Sequence, residues 1–189
     1  MKVHFITSRP SLENDIDRLR AIISIIHENG HYLARDWVEV AYRRQVELKK
    51  PADDWGMIYK DNLEAIAQSD VIIAETTYEN FAVGYQVAVA VQQKKPILLM
   101  RHASADKNAF ATGVDDDWAQ HGQYDDDTLP LIIKNFIEEN DIKTKDLRFN
   151  FFIDRQIYNY LRWTSLRTNK TKAEVLRDLV VREIEKQNN

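Results

Sequence analysis

The chain has 189 residues, 44% hydrophobic and 30% charged, with a formal net charge of −4 and no cysteine. That length and composition suit one ordinary globular domain plus a small appendage, and the lack of cysteine excludes disulfides, thiolate catalysis and Cys-ligated zinc. With no apolar run of about 18 residues and no signal-like start, the expected location is the cytoplasm, without membrane association. The five histidines (His4, His27, His31, His102, His121) show no HExxH-like spacing, so neither a metal nor a cofactor is expected.

Taken in order, the chain opens with a short apolar strand, Val3 to Thr7, that runs into Ser8-Arg9-Pro10-Ser11. A helical pattern follows, with Ile16, Leu19, Ile22, Ile23 and Ile26 at spacings of three and four, and Asn29-Gly30 stops it. His31–Arg35 reads as a second strand, Trp37 to Lys49 as a helix broken by Pro51, and Met57–Gln68 as another helix. Val71–Glu75 is a continuous apolar run of the kind buried on both faces. After the loop Thr76–Ala82 come a Val- and Ala-rich helix to Lys94 and a second buried strand, Pro96–Met100. A short edge strand over Ala119–Tyr124 and a closing helix over Leu131–Glu138 complete this part. Strands alternating with helices predict an α/β domain with a mainly parallel sheet flanked by helices.

Charge separates this body from the rest. From Lys143 onward eleven Lys/Arg face six Asp/Glu, a local charge of +5, which leaves fifteen against twenty-four, or −9, for residues 1–142. The expected domains are therefore a body over 1–142 and a basic tail over 143–189, the tail suited to a polyanionic partner.

In parallel sheets ligands bind beyond the carboxyl ends of the strands, which selects the loops Thr7–Ser11, Glu75–Gly84 and His102–Gly113. Ser8 and Arg9 offer a hydroxyl and a guanidinium to a phosphate. Equally, Ser8 and Ser11 cap a helix and Arg9 is an exposed charge.

The stretch DNLEAIAQSDVIIAETTYENFAVGYQVAVAVQQKKPILLMR, with the later AFATGVDDD and GQYDDDTLPLIIKNF, resembles the nucleoside 2-deoxyribosyltransferase superfamily and its branch of 2'-deoxynucleoside 5'-monophosphate N-glycosidases. The resemblance covers residues 2–140 in element order, spacing and residue types. It implies a deoxyribosyltransferase-like α/β fold and a nucleotide-like small molecule bound by Ser8, Arg9, Asn62, Asn80, Gly84 and Gln86. The family's nucleophile is a Glu after Gly-Tyr, where this chain has Gln86. Its Asp or Ser six residues earlier falls on Asn80, and the Asp that handles the base falls on Asn62, beside Asp61. An amide replaces neither a carboxylate nucleophile nor a general acid or base, though it still hydrogen-bonds. Two readings follow. One is a binding pocket without the chemistry. The other is an active N-glycosidase or deoxyribosyltransferase that uses other carboxylates, Glu75 with Asp61, or Glu79.

In the tail, Leu147, Phe149, Phe151 and Ile153 alternate with Arg148, Asn150 and Phe152, a strand with two unlike faces. Asp154 caps a helix carrying Ile157, Tyr160, Leu161 and Thr164. Thr171, in a capping box with Glu174, opens another carrying Val175, Leu176, Leu179, Val180 and Ile184. One strand and two helices have too little core to stand alone, so a homodimer or higher homo-oligomer is expected. The segment 147–186 resembles the ribbon-helix-helix fold of DNA-binding repressors. That resemblance implies duplex DNA as partner, with Arg148, Asn150 and Phe152 in the major groove and Lys170, Thr171 and Lys172 at phosphate. Pure dimerisation is the other reading of the same segment. Body and tail together suggest a ligand-sensing DNA-binding protein, with the enzyme as the alternative.

Overall fold

The computed structural model describes residues 1–52, 54–105, 113–141, 153–168 and 170–187. The chain divides into two compact units, Met1–Lys143 and Thr144–Asn189.

In the first unit the strands are β1 (Lys2–Ile6), β2 (Tyr32–Leu33), β3 (Val71–Glu75), β4 (Ile97–His102) and β5 (Ala119–Tyr124). They form a parallel sheet in the order β2-β1-β3-β4-β5. β1, β3 and most of β4 are apolar without a polar alternation because helices cover both faces of the sheet. Side chains of successive strand residues then part to opposite layers. Val3, Phe5, Val71 and Ile73 join Leu19, Ile22 and Ile26 of α2 (Ile16–Glu28) and Ile133 and Phe136 of α6 (Leu129–Asn140). Ile6, Ile72 and Ala74 join Ile66 of α4 (Trp55–Gln68) and Val83, Val87 and Ala90 of α5 (Phe81–Gln92). The sheet is thus the middle layer of three, the α/β architecture that the alternation of patterns predicts.

After β1 the chain crosses to β2 on one side, and it returns through α4 to β3 on the other. That reversal between β1 and β3 opens a crevice at the carboxyl ends of the strands, where open α/β sheets take their ligands.

Several elements differ from the sequence expectation, each for a local reason. The segment Thr7–Ser11, expected as a loop, holds the start of a short helix α1 (Arg9–Asn14), because Ser8 accepts the Ser11 backbone N–H as its N-cap. The strand expected over His31–Arg35 shrinks to Tyr32–Leu33 at the sheet edge, where it pairs with β1 alone. Trp37–Lys49 is not one regular helix. Only Val38–Ala41 (α3) is α-helical, and Tyr42–Glu47 continues as a π-helical turn. There the Leu48 N–H reaches the Arg43 carbonyl at 3.0 Å and the Lys50 N–H the Arg44 carbonyl at 2.9 Å. Lys49, at φ 52°, ends it in the left-handed conformation. Helices α4 and α5 start two residues earlier than expected, capped by Asp54 and Asn80.

In the second unit α7 (Arg155–Thr168) and α8 (Lys172–Gln187) pack on each other. Asp154 accepts the Ile157 N–H at 2.8 Å, and Thr171 and Glu174 form the reciprocal capping box. Leu161 and Val175 are buried, whereas Trp163, Leu166, Val180, Val181 and Ile184 stand exposed. Of the expected strand from Leu147 to Ile153, residues 147–152 lie outside the described residues, and Ile153 is not in a strand.

Candidate functional site

A cavity of about 370 Å³ lies at the β1/β3 crevice of the first unit, within the range of small-molecule sites. Thr7, from the end of β1, forms its floor together with Asn80 and Gln86 of the β3–α5 region. Arg35, Trp37 and Arg44 come from the segment after β2, Arg9 from α1, and Trp55 and Asn62 from α4. The wider π turn belongs to this site, since Arg44 and Gln45 face the cavity from it. Among the described residues, Asp36 is the carboxylate that lines it.

The amides of the cavity are held in fixed orientations. Gln86 is buried, donates its amide N–H to the Ala82 carbonyl at 3.2 Å, and turns its oxygen to His4 Nε2 at 3.3 Å. His4 therefore carries its proton on Nε2. Burial pushes the ring down to about 4, against the Gln86 bond that favours the charged form, and the Arg35 charge pushes the same way as burial. Its Nδ1 is buried without a partner among the described residues. Asn80 caps α5, its oxygen accepting the Val83 N–H at 2.9 Å. Asn62 accepts from the Arg35 guanidinium, which also pairs with Asp61 at 3.1 Å. Arg9 gives its Nε to Glu13 at 2.8 Å. The Thr7 hydroxyl, in a residue only 5% exposed, has no hydrogen-bond partner among the described residues.

The structure thus brings Arg9, Asn62, Asn80 and Gln86 into one cavity and sets other expected residues apart. Ser8 is buried and spent on the α1 cap, with Ser11 Oγ 2.8 Å from its own Oγ. Gly84 lies on a second, apolar groove along α5, which also shows Phe81 and Tyr85. Asp61 is engaged with Arg35, and Glu79 lies on the second groove. Glu75, expected as a catalytic candidate, is 1% exposed and does not line the cavity. Its carboxylate accepts from Ser11 Oγ at 3.0 Å, Tyr124 Oη at 3.1 Å, and both the N–H and hydroxyl of Thr77. Burial first, and then the charge of Glu75, push the Tyr124 phenol well above its ordinary range. Glu75 ties β3 to α1 and β5, which explains its place better than chemistry does.

Sequence reasoning missed Thr7, Arg35, Asp36, Trp37 and Arg44. The rule that picked the other loops, looking beyond strand ends, points at Arg35 too once β2 is included. Asp36 and Trp37 follow β2 in the same way and Thr7 lies in the selected loop Thr7–Ser11, whereas Arg44 depends on the π turn, which leaves no periodic signal.

No protein-family model matches the chain. It is 25% identical over 153 residues to a Nematostella vectensis protein provisionally named 2'-deoxynucleoside 5'-phosphate N-hydrolase 1, covering 80% of this chain and 93% of that one. Among solved structures, the CMP N-glycosidase BcmB of Clostridium botulinum matches with a TM-score of 0.50 and 15% identity, over 71% of this chain and 98% of that one. The body shares the fold of an N-glycosidase. The sequence similarity, though weak, supports the superfamily that residues 2–140 resemble, and the structural match shows the fold alone. Neither bears on a ribbon-helix-helix tail or on DNA.

In the second unit Lys170 pairs with Asp178 at 2.7 Å, Thr171 is engaged by Glu174, and Lys172 lies over the Tyr158 ring at 4.4 Å. Arg148, Asn150 and Phe152 lie outside the described residues. Among the described residues there is no cluster of metal-ligating side chains. No described helix is long and apolar enough to cross a membrane.

Proposed function

We propose that the body is a nucleotide-binding domain of the N-glycosidase type, with a nucleoside phosphate held in the cavity at the β1/β3 crevice. One observation carries this reading: guanidiniums of Arg9, Arg35 and Arg44 share a cavity with the amides of Asn62, Asn80 and Gln86. Guanidinium forks suit phosphate, and the apolar walls from Trp37, Trp55 and Met57 suit a base. The N-hydrolase and N-glycosidase similarities favour the same ligand class.

The chemistry at such a site turns on a carboxylate. Gln86 cannot be the nucleophile, since a neutral amide oxygen is too weak to attack an anomeric carbon. The hydrolytic reading is favoured by Asp36, which lines the cavity and is suited to activate a water for direct attack. The test is release of free base from deoxynucleoside 5'-monophosphates, followed by chromatography beside a binding titration. Binding with slow release that Asp36→Asn abolishes supports the hydrolase. Binding without release leaves a ligand sensor, and no binding overturns the nucleotide reading altogether.

For the tail, the proposal is two-fold association through a strand pair, with duplex DNA as partner of the sensor. Its support is the +5 charge from Lys143 onward. Fluorescence anisotropy on a labelled duplex tests it. Affinity should fall steeply with salt, and a monomer with no such affinity contradicts it.

A further inference from the structure

We infer that the first unit pairs with a second copy of itself across the outward face of α5, in an antiparallel contact separate from any pairing of the tail. The inference rests on neither the nucleotide reading nor the DNA reading. Val83, Val87 and Ala90 pack α5 on the sheet. The opposite side of a surface helix ordinarily carries charge, yet no residue from Asn80 to Gln93 is charged. Phe81 is 87% exposed and Tyr85 38%, and their rings stack with centroids 6.3 Å apart. Tyr85 in turn meets the exposed Tyr59 of α4, hydroxyl to hydroxyl at 2.9 Å. Gly84 and Ala88 lie exposed on the same helix. A helix apolar on all sides is one whose outer face is covered.

Area and charge both select a second copy as the cover. At about 200 Å² for a fully exposed aromatic side chain, Tyr59, Phe81 and Tyr85 together leave roughly 350 Å² in water. A standard interface takes about 800 Å² from each partner, a little over half of it apolar. The three aromatics alone thus supply most of the apolar share. In a two-fold contact the same surface meets itself, so a charge near the axis would face its like. The middle of α5 has none. Its charges stand beyond the two ends, Glu79 before the helix and Lys94 after it. Laid antiparallel, Glu79 of one copy comes to Lys94 of the other, an attraction made twice by symmetry. The same register matches in shape. Tyr85 falls opposite Ala88, and Val89 falls opposite Gly84, which has nothing within 4 Å of where a Cβ would stand. Large side chains meet small ones in both copies at once.

The chain has no cysteine, so one introduced thiol reports without background. The experiment is cross-linking of the full chain carrying Ala88→Cys by a short bis-maleimide. Leu131→Cys serves as the reference, at an exposed position of α6, which covers the other face of the sheet. Dimer should form about ten-fold faster at position 88 than at position 131, because pairing raises the local concentration of one thiol beside the other. Adding Phe81→Glu alters a side chain that the single copy leaves in water, and should cut the yield about ten-fold by burying a charge in the pair. Glu79→Lys should lower the yield as well, and Glu79→Lys with Lys94→Glu should restore it. Equal rates at the two positions, as a dimer held by the tail alone would give, overturn the inference. So does a Phe81→Glu chain that cross-links as well as its parent. Where position 88 gives no dimer, fast reaction with a monofunctional maleimide shows a face open to water, and slow reaction shows a different cover; either overturns it. Failure of the double charge exchange to restore the yield overturns the antiparallel register.

Discussion

His4 sits under the cavity floor as a neutral ring whose proton is committed to Gln86. Its burial gives it a consequence for stability that can be signed. The folded ring is held down to about 4 from an ordinary 6.5. Between those values the unfolded chain takes up a proton that the folded chain refuses. The stabilisation is whole above 6.5 and drains away as pH falls toward about 4, by roughly 3 kcal/mol in all. Denaturant titrations across that range should show the decline, and His4→Gln should flatten it. An equal pH slope in the variant would remove His4 from the explanation. Glu75 makes the opposite case, a carboxylate in the right region whose lone pairs are all turned inward. Glu75→Gln sets an amide donor against the hydroxyls of Ser11, Thr77 and Tyr124 and should cost roughly 2–4 kcal/mol in denaturant unfolding. A variant of native stability that has lost base release would restore Glu75 as a catalytic group.

At the scale of elements, local sequence carried most of the architecture. Val71–Glu75 and Ile97–Met100 are apolar on both faces because α-helices cover both, and that is legible from composition alone. The caps were legible in part. Thr171 with Glu174 was read directly, whereas Asn80 was read as a ligand residue and also caps α5. Both roles follow from one geometry, oxygen on the helix and nitrogen left for the cavity. Asn80→Ala should therefore cost about 1 kcal/mol of stability through the lost cap and weaken nucleotide binding together, measured by melting and titration on the same sample. Stability lost with affinity intact would leave Asn80 only its cap. The π turn over Tyr42–Glu47 is not legible in the sequence because its wider register breaks the helical period. Sequence distance from a strand end does not say which way a side chain turns, and Glu75 turns to Ser11 and Tyr124 rather than to the cavity.

For the whole molecule, the charge boundary near Lys143 coincides with the division into units at Lys143 and Thr144. The body's core is complete within its own elements on both faces of the sheet. A chain ending at Lys143 should fold cooperatively and bind nucleotide as the full chain does, judged by thermal melting and calorimetry. Loss of folding would show that the tail belongs to the body's core. The site itself lies where the strand order reverses, and that reversal was not legible, since element order along the chain does not fix strand order across the sheet. The most direct test of a nucleotide site is a crystal structure of the full chain grown with a saturating deoxynucleoside 5'-monophosphate. The prediction is density for the ligand in the β1/β3 cavity, its phosphate beside the arginines that line it and its base against Trp37, Trp55 or Met57. Nucleotide seated on the apolar groove beside Phe81 and Tyr85, with the cavity bare, would contradict it.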